Sequence, residues 1–169
     1  MSSGKRATRL VAGHEQGERP MKKILRSTEL FAGLSDEELE EVESICEKRQ
    51  YRKGELITRQ GEAGDALFVV AEGFAEVVLP SPGDASDQVL VQLGGGQVIG
   101  EMALIDGGPR SATVRAVTDP TTIAVIGRES FETLCERNTR IGYLVMRNLA
   151  ADLSFKLRHK NLSEQEKGV

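Results

Sequence analysis

The spacing of apolar residues changes twice along the chain, and each change marks a boundary. Residues 1–26 show no apolar periodicity and read as an unordered basic tail. After Leu30-Phe31-Ala32-Gly33-Leu34, residues Leu39, Val42, Ile45 and Cys46 recur at the spacing of one helix face. Ser35 followed three residues later by Glu38 is a capping box, so a short helix is expected from there to about Lys48. From Gln50 the pattern shortens to strands. Leu56-Ile57, Leu67 to Ala71, Phe74 to Leu79, Val89 to Leu93, Ser111 to Val117 and Thr122 to Ile126 are apolar runs separated by Gly-rich turns. In the fifth, Ala112, Val114 and Ala116 alternate onto one face. Pro80-Ser81-Pro82-Gly83-Asp84 reads as a hairpin tip.

Helical spacing then returns. Arg128 to Glu136 places Phe131, Leu134 and Cys135 on one side. The segment from Asn138 to about Asn161 carries two stripes. Tyr143, Met146, Ala150, Leu153 and Leu157 step by three and four, as in a helix-pairing seam. Ile141, Leu144, Val145 and Leu149 suit packing on the chain's own sheet. The seam predicts a homodimer through this helix; the alternative is one broad stripe buried within a monomer. The expected fold is mainly β with flanking helices: an antiparallel β-barrel or jelly roll (double-stranded β-helix) with an N-terminal helix and two C-terminal helices. One domain is expected over residues 27–161, with a polar tail over 162–169.

Composition narrows the function. The chain is 39% hydrophobic with no Trp, so its core must be aliphatic. Its 18 glycines agree with many tight turns. No apolar run reaches the roughly 20 residues of a membrane span, and residues 1–20 lack the apolar stretch of a signal peptide. The expected location is the cytoplasm, with no membrane contact. Cys46 and Cys135 stand far apart without CxxC spacing, which predicts buried thiols and no metal site. Residues 27–136 hold 21 acidic and 8 basic side chains, while residues 137–160 hold 6 basic and 1 acidic. So acidic a body offers no broad phosphate-binding surface, and direct DNA binding is not expected. His14 and His159 have no triad partners in view, and no catalytic set is expected.

One stretch carries chemistry. Between Arg59 and Arg115 the only basic residue is Arg110. It lies among Gly94-Gly95-Gly96, Gly100 and Gly107-Gly108. Gly100-Glu101-Met102-Ala103-Leu104-Ile105 suits one turn of helix whose free amides attract an anion. Arg110 offers a planar fork for two phosphate oxygens, and Ser111 adds a hydroxyl. Glu101 would repel a phosphate but accept from a sugar hydroxyl. The residues therefore leave two readings: a site for one phosphate beside one hydroxyl, or a structural Glu101–Arg110 ion pair.

The segment Gly96-Gln97-Val98-Ile99-Gly100-Glu101-Met102-Ala103-Leu104, a short Gly loop, and Pro109-Arg110-Ser111-Ala112-Thr113-Val114-Arg115-Ala116 closely resembles the phosphate-binding cassette of cyclic-nucleotide-binding domains. Such domains occur in catabolite-activator-type regulators, kinase regulatory subunits and cyclic-nucleotide-gated channels. The resemblance extends over roughly Leu30 to Asn161, including Lys53-Gly54-Glu55, Gly61-Glu62-Ala63-Gly64-Asp65 and Leu67-Phe68-Val69-Val70 with Gly73. It implies that Glu101 accepts from the ribose 2'-hydroxyl and Arg110 pairs with the cyclic phosphate. Gly100 and the amides of Met102 and Ala103 should line that phosphate, with Ser111 beside it. Val91 either touches the purine or packs in the core. A lid residue is expected near Ser154 to Arg158, with Lys156 or Arg158 over the base or simply solvated.

The expectation is thus a non-enzymatic, stand-alone sensor without metal or cofactor. Its ligand is cAMP or cGMP, with cAMP preferred, and the last helix passes binding to a downstream protein partner. Two alternatives stand beside it: the effector part of a DNA-binding regulator, and a ligand-free interaction platform of the same fold.

Overall fold

The structure, a computed structural model, describes residues 20–80 and 87–166. Two four-stranded antiparallel sheets face each other. Strands β1 (Cys46–Tyr51), β8 (Thr121–Gly127), β3 (Ala66–Glu72) and β6 (Val98–Ile99) form one, in that order. Strands β2 (Leu56–Thr58), β7 (Thr113–Ala116), β4 (Ala75–Leu79) and β5 (Gln88–Leu93) form the other. This is the expected jelly roll, but the sheets remain separate and do not close into a barrel. Short β6 and largely exposed β5 each end a sheet as an edge.

The central strands explain why their sequences are apolar without alternation. In β3, Ala66, Phe68 and Val70 point between the sheets, while Leu67 and Val69 point outward under helices. In β8, Ile123 and Val125 face inward while Ala124 and Ile126 face the helices. Both faces of this sheet are covered, so both sets of positions are apolar. Strand β7 covers only one face: Val114 and Ala116 are buried beside half-exposed Thr113 and Arg115.

The helices are α1 (Pro20–Ser27), α2 (Asp36–Ser44), α3 (Ala103–Asp106), α4 (Arg128–Arg137) and α5 (Thr139–Glu166), with a 3-10 turn at Glu29–Phe31. The capping box forms: Ser35 Oγ accepts from the Glu38 amide at 3.3 Å, and the Ser35 amide donates to Glu38 Oε2 at 2.8 Å. Helix α2 ends at Ser44, short of Lys48, because residues 46–51 pair with β8 instead. The expected unordered tail over 1–26 is shortened: Pro20–Ser27 is helical and buries Leu25 completely. Residues 1–19, 81–86 and 167–169 lie outside the described residues, and with them all but Pro80 of the hairpin tip expected over Pro80 to Asp84. Helix α5 continues to Glu166, past the expected domain end at 161.

The basic flanks fold back on the chain's own acids. Lys22 and Arg26 of α1 reach Glu40 and Asp36, while Arg137 and Arg140 reach Glu41 and Glu38. Acidic α2 is therefore flanked by basic partners on two sides. The two stripes of α5 also separate. Ile141, Leu144, Val145 and Leu149 are buried, whereas Tyr143 and Leu157 are 64% and 60% exposed. Leu153 is half-buried against the core, so the seam is open to solvent in part rather than throughout. The two thiols are half-buried, not fully buried. Burial, with the charge of Glu43 added, pushes the Cys46 thiol up to about 12, so it is not a nucleophile.

Candidate functional site

Two loops hold each other before any side chain takes part. The Arg110 amide donates to the Glu62 carbonyl at 2.8 Å, and the Gly61 amide donates to the Arg110 carbonyl at 2.9 Å. The Gly64 amide donates to the Gly108 carbonyl at 3.1 Å. The backbone at Arg110 is thereby set by the 61–64 loop.

The Arg110 side chain turns inward from this anchor and lies over the Phe68 ring, 4.9 Å from its centroid. It is only 8% exposed. Its Nη2 lies 3.8 Å from Asp65 Oδ1, a carboxylate that is itself largely in water. Its Nη1 is buried and has no hydrogen-bond partner among the described residues. Burial lowers the pKa of Arg110, opposed by the charges of Asp65 and Glu62. A guanidinium nevertheless stays charged in a protein. A buried cation with an unused donor is costly, and an anion brought to it removes that cost.

Gly100 makes this placement possible in a way the sequence does not reveal. Its φ is +73°, and a Cβ added there would lie 2.2 Å from Arg110 Nη1. Glycine is therefore required here for the guanidinium, in addition to any ligand. The expected turn of helix follows as α3, starting at Ala103. The Ala103 amide donates to the Gly100 carbonyl at 3.1 Å, closing a turn. It is thus already engaged, contrary to the expectation that it faces an anion freely. Ala103 is buried, while Met102 stands half-exposed at the rim of the cleft.

Glu101 does not pair with Arg110. Its Oε1 accepts from Lys156 Nζ of α5 at 3.0 Å, and Lys156 also lies 2.7 Å from Asp152 Oδ2. The structural ion pair weighed from sequence is therefore not formed. Each member of the anion-plus-hydroxyl pair faces the same cleft separately. That cleft measures about 1260 Å³ and is walled by β4, β5, the 95–112 segment and α5. It exceeds the roughly 300–1,000 Å³ usual for a small-molecule site. Gly100, Glu101, Met102, Ala103, Arg110, Ser111 and Val91 all line it. Val91 is half-exposed, so the core-packing reading of it fails.

Arg158 is not among the lining residues, whereas Lys156 is. Sequence reasoning missed Phe155, which is exposed and lines the cleft one residue before Lys156. The signal was present: residue 155 belongs to neither apolar stripe of α5. Asn148 was also missed. Its Nδ2 donates to the carbonyls of Leu30 at 3.1 Å and Ala32 at 2.9 Å, tying α5 to the 3-10 turn beside the cleft. Among the described residues no cluster of His, Cys, Asp and Glu could hold a metal, and no helix is long and apolar enough to cross a membrane.

Comparison with known proteins agrees with this geometry. Residues 48–138 match the family model described as the cyclic nucleotide-binding domain. The chain is 37% identical over 138 residues to the cyclic AMP receptor protein of Thermus thermophilus, covering 82% of this chain and 61% of that protein. It is 38% identical over 120 residues to a cyclic nucleotide-gated potassium channel of Mesorhizobium japonicum, covering 70% of this chain and 31% of the channel. The crystal structure of Thermus thermophilus catabolite activator protein superposes with a TM-score of 0.72 at 37% identity, over 82% of this chain and 62% of that one. The chain thus spans about three fifths of the first relative and under a third of the second.

Proposed function

We propose that this chain, which belongs to the cyclic nucleotide-binding domain family, is a sensor that binds cAMP in preference to cGMP and passes occupancy on through α5. The observation that carries the reading is Arg110, a buried guanidinium with an unused donor on a side chain that lines the cleft. An equatorial oxygen of a cyclic phosphate supplies the missing acceptor, and the second oxygen meets the other arm of the fork. Gly100 and the Met102 amide border the same phosphate, and Ser111 adds its hydroxyl. Glu101 accepts from the ribose 2'-hydroxyl across the cleft. Val91 and Phe155 supply apolar surface for the purine. The chain acts by binding rather than by chemistry, in the cytoplasm. The relative named for cyclic AMP supports the preference for adenine.

Isothermal titration with cAMP and cGMP tests this. The expected result is saturable binding of cAMP below high micromolar concentration and weaker binding of cGMP. Silence from both nucleotides at that concentration would remove the sensor reading and leave an interaction platform of the same fold.

The solvent-facing part of the α5 seam supports a homodimer. Tyr143 and Leu157 are large apolar residues in water, at the spacing of a paired helix. Sedimentation should show a dimer for the wild type and a monomer for Leu157→Glu; a monomeric wild type would count against pairing through this helix. A second reading has one observation in its favour. The chain covers 61% of the cyclic AMP receptor protein, so it also fits the effector part of a longer regulator. In either case the downstream partner reads the position of α5.

A further inference from the structure

Helix α5 makes its last fully buried core contact at Leu149, with Leu153 still packed against the core. Residues 150–151 and 154–160 are exposed, and only Asp152 and Leu153 between them are half-buried. Upstream, the helix is held by buried Ile141, Val145 and Leu149 and by the two hydrogen bonds of Asn148. Downstream, the ion pair from Lys156 to Glu101 crosses from the helix to the 100–111 segment. The ammonium sits on a carboxylate oxygen of Glu101, the cleft residue read above as the acceptor of a sugar hydroxyl. Burial by itself would lower the pKa of Lys156, but its hydrogen bonds to Asp152 and Glu101 raise it overall, so the ammonium is charged when it sits there.

Resting on the cyclic-nucleotide reading above, we propose that Lys156 is a built-in competitor for the ribose. It holds Glu101 Oε1, and a ribose 2'-hydroxyl contends with it for that carboxylate. Asp152 makes the exchange cheap. It stands one turn earlier on α5 and already holds the same ammonium at 2.7 Å. A released Lys156 therefore keeps a counter-ion instead of becoming a bare charge. The nucleotide and the distal half of α5 thus contend for one carboxylate. Apparent affinity is the intrinsic affinity multiplied by the fraction of molecules in which Glu101 is free, and occupancy of the ribose site loosens this one tie between helix and cassette.

The test compares cAMP with 2'-deoxy-cAMP on wild type and on Lys156→Met, by isothermal titration. Both nucleotides carry the same charge, so the general loss of a cation near an anion cancels in the ratio of their affinities. Only the ribose form contends with Lys156 for Glu101. The ratio favouring cAMP should rise roughly two- to fivefold in Lys156→Met, the scale of an exposed ion pair. The rise should vanish when Glu101→Gln is added. Lys156 is exposed, so the variant should fold; Lys156→Gln serves as a second variant with the same expected ratio. An unchanged or reduced ratio, in a protein that binds cAMP, overturns the competitor while leaving the site intact. No binding of either nucleotide by wild type overturns both.

Discussion

Arg110→Ala is expected to cost a bound cyclic nucleotide about 2–5 kcal/mol, a roughly 30- to 5,000-fold loss of affinity. The reasoning is the asymmetry of buried charge. The guanidinium is buried, and its Nη1 has no acceptor among the described residues. Its stacking on Phe68 and a distant, solvated Asp65 compensate only in part. The cyclic phosphate completes the pairing in a desolvated setting, where a charge-assisted bond is strongest. The ligand-free variant should behave differently. Losing the stacking costs ~0.5–2 kcal/mol, but removing an unsatisfied buried donor returns ~1–3 kcal/mol. Its thermal midpoint should therefore stay near the wild-type value while affinity collapses. The backbone bonds of residues 61, 62 and 110 do not involve the side chain and keep the loop in place. Titration and thermal denaturation of the same sample check both halves. Unchanged affinity would show that Arg110 does not hold the phosphate.

Gly100→Ala should damage the site without touching any polar group. The added methyl would stand 2.2 Å from Arg110 Nη1, in a backbone conformation of φ +73°. The conformation alone is strained for an L-residue by about 1–2 kcal/mol. The guanidinium must also shift, away from Phe68 or toward the cleft mouth, and misplacing it forfeits the paired geometry with the phosphate. The expected outcome is a tenfold or greater loss of cAMP affinity, on the order of 1.4 kcal/mol or more, together with a lowered thermal midpoint. The pattern distinguishes the two variants: Arg110→Ala loses binding alone, while Gly100→Ala loses binding and stability. A Gly100→Ala protein with wild-type affinity would mean that the arginine position is not set by this contact.

Much of the architecture could be read from the order of residues. The central strands β3 and β8 were legible because both of their faces are covered, which makes Leu67 to Ala71 and Thr122 to Ile126 continuous apolar runs. The capping box at Ser35 located the start of α2. Strand β1 was not legible. Glu47, Lys48, Arg49 and Gln50 are polar and exposed, and pairing with β8 holds them extended without an apolar alternation to announce it. Helix α1 escaped for the opposite reason. Eight residues are too few to be a helix alone, and Leu25 is fixed only by the core it fills.

The candidate site divides in the same way. The isolated base Arg110, the glycines around it and the acid at Glu101 were visible in sequence, because a lone cation in an acidic stretch and a run of glycines are local facts. Which partner each charge takes was not visible. Sequence left a Glu101–Arg110 pair open, and the fold instead gives Arg110 to Phe68 and Glu101 to Lys156, 55 residues away. Pairing of charges depends on distances between segments, and those are set by the packing of α5 and the two sheets. By itself, then, the sequence indicated the jelly-roll class and, through its family resemblance, the cassette, while its residues left an anion-plus-hydroxyl site and a Glu101–Arg110 ion pair both open. Tertiary structure alone decided that Arg110 Nη1 is buried without an acceptor among the described residues, that Gly100 gives it room, and that Lys156 of the last helix holds Glu101.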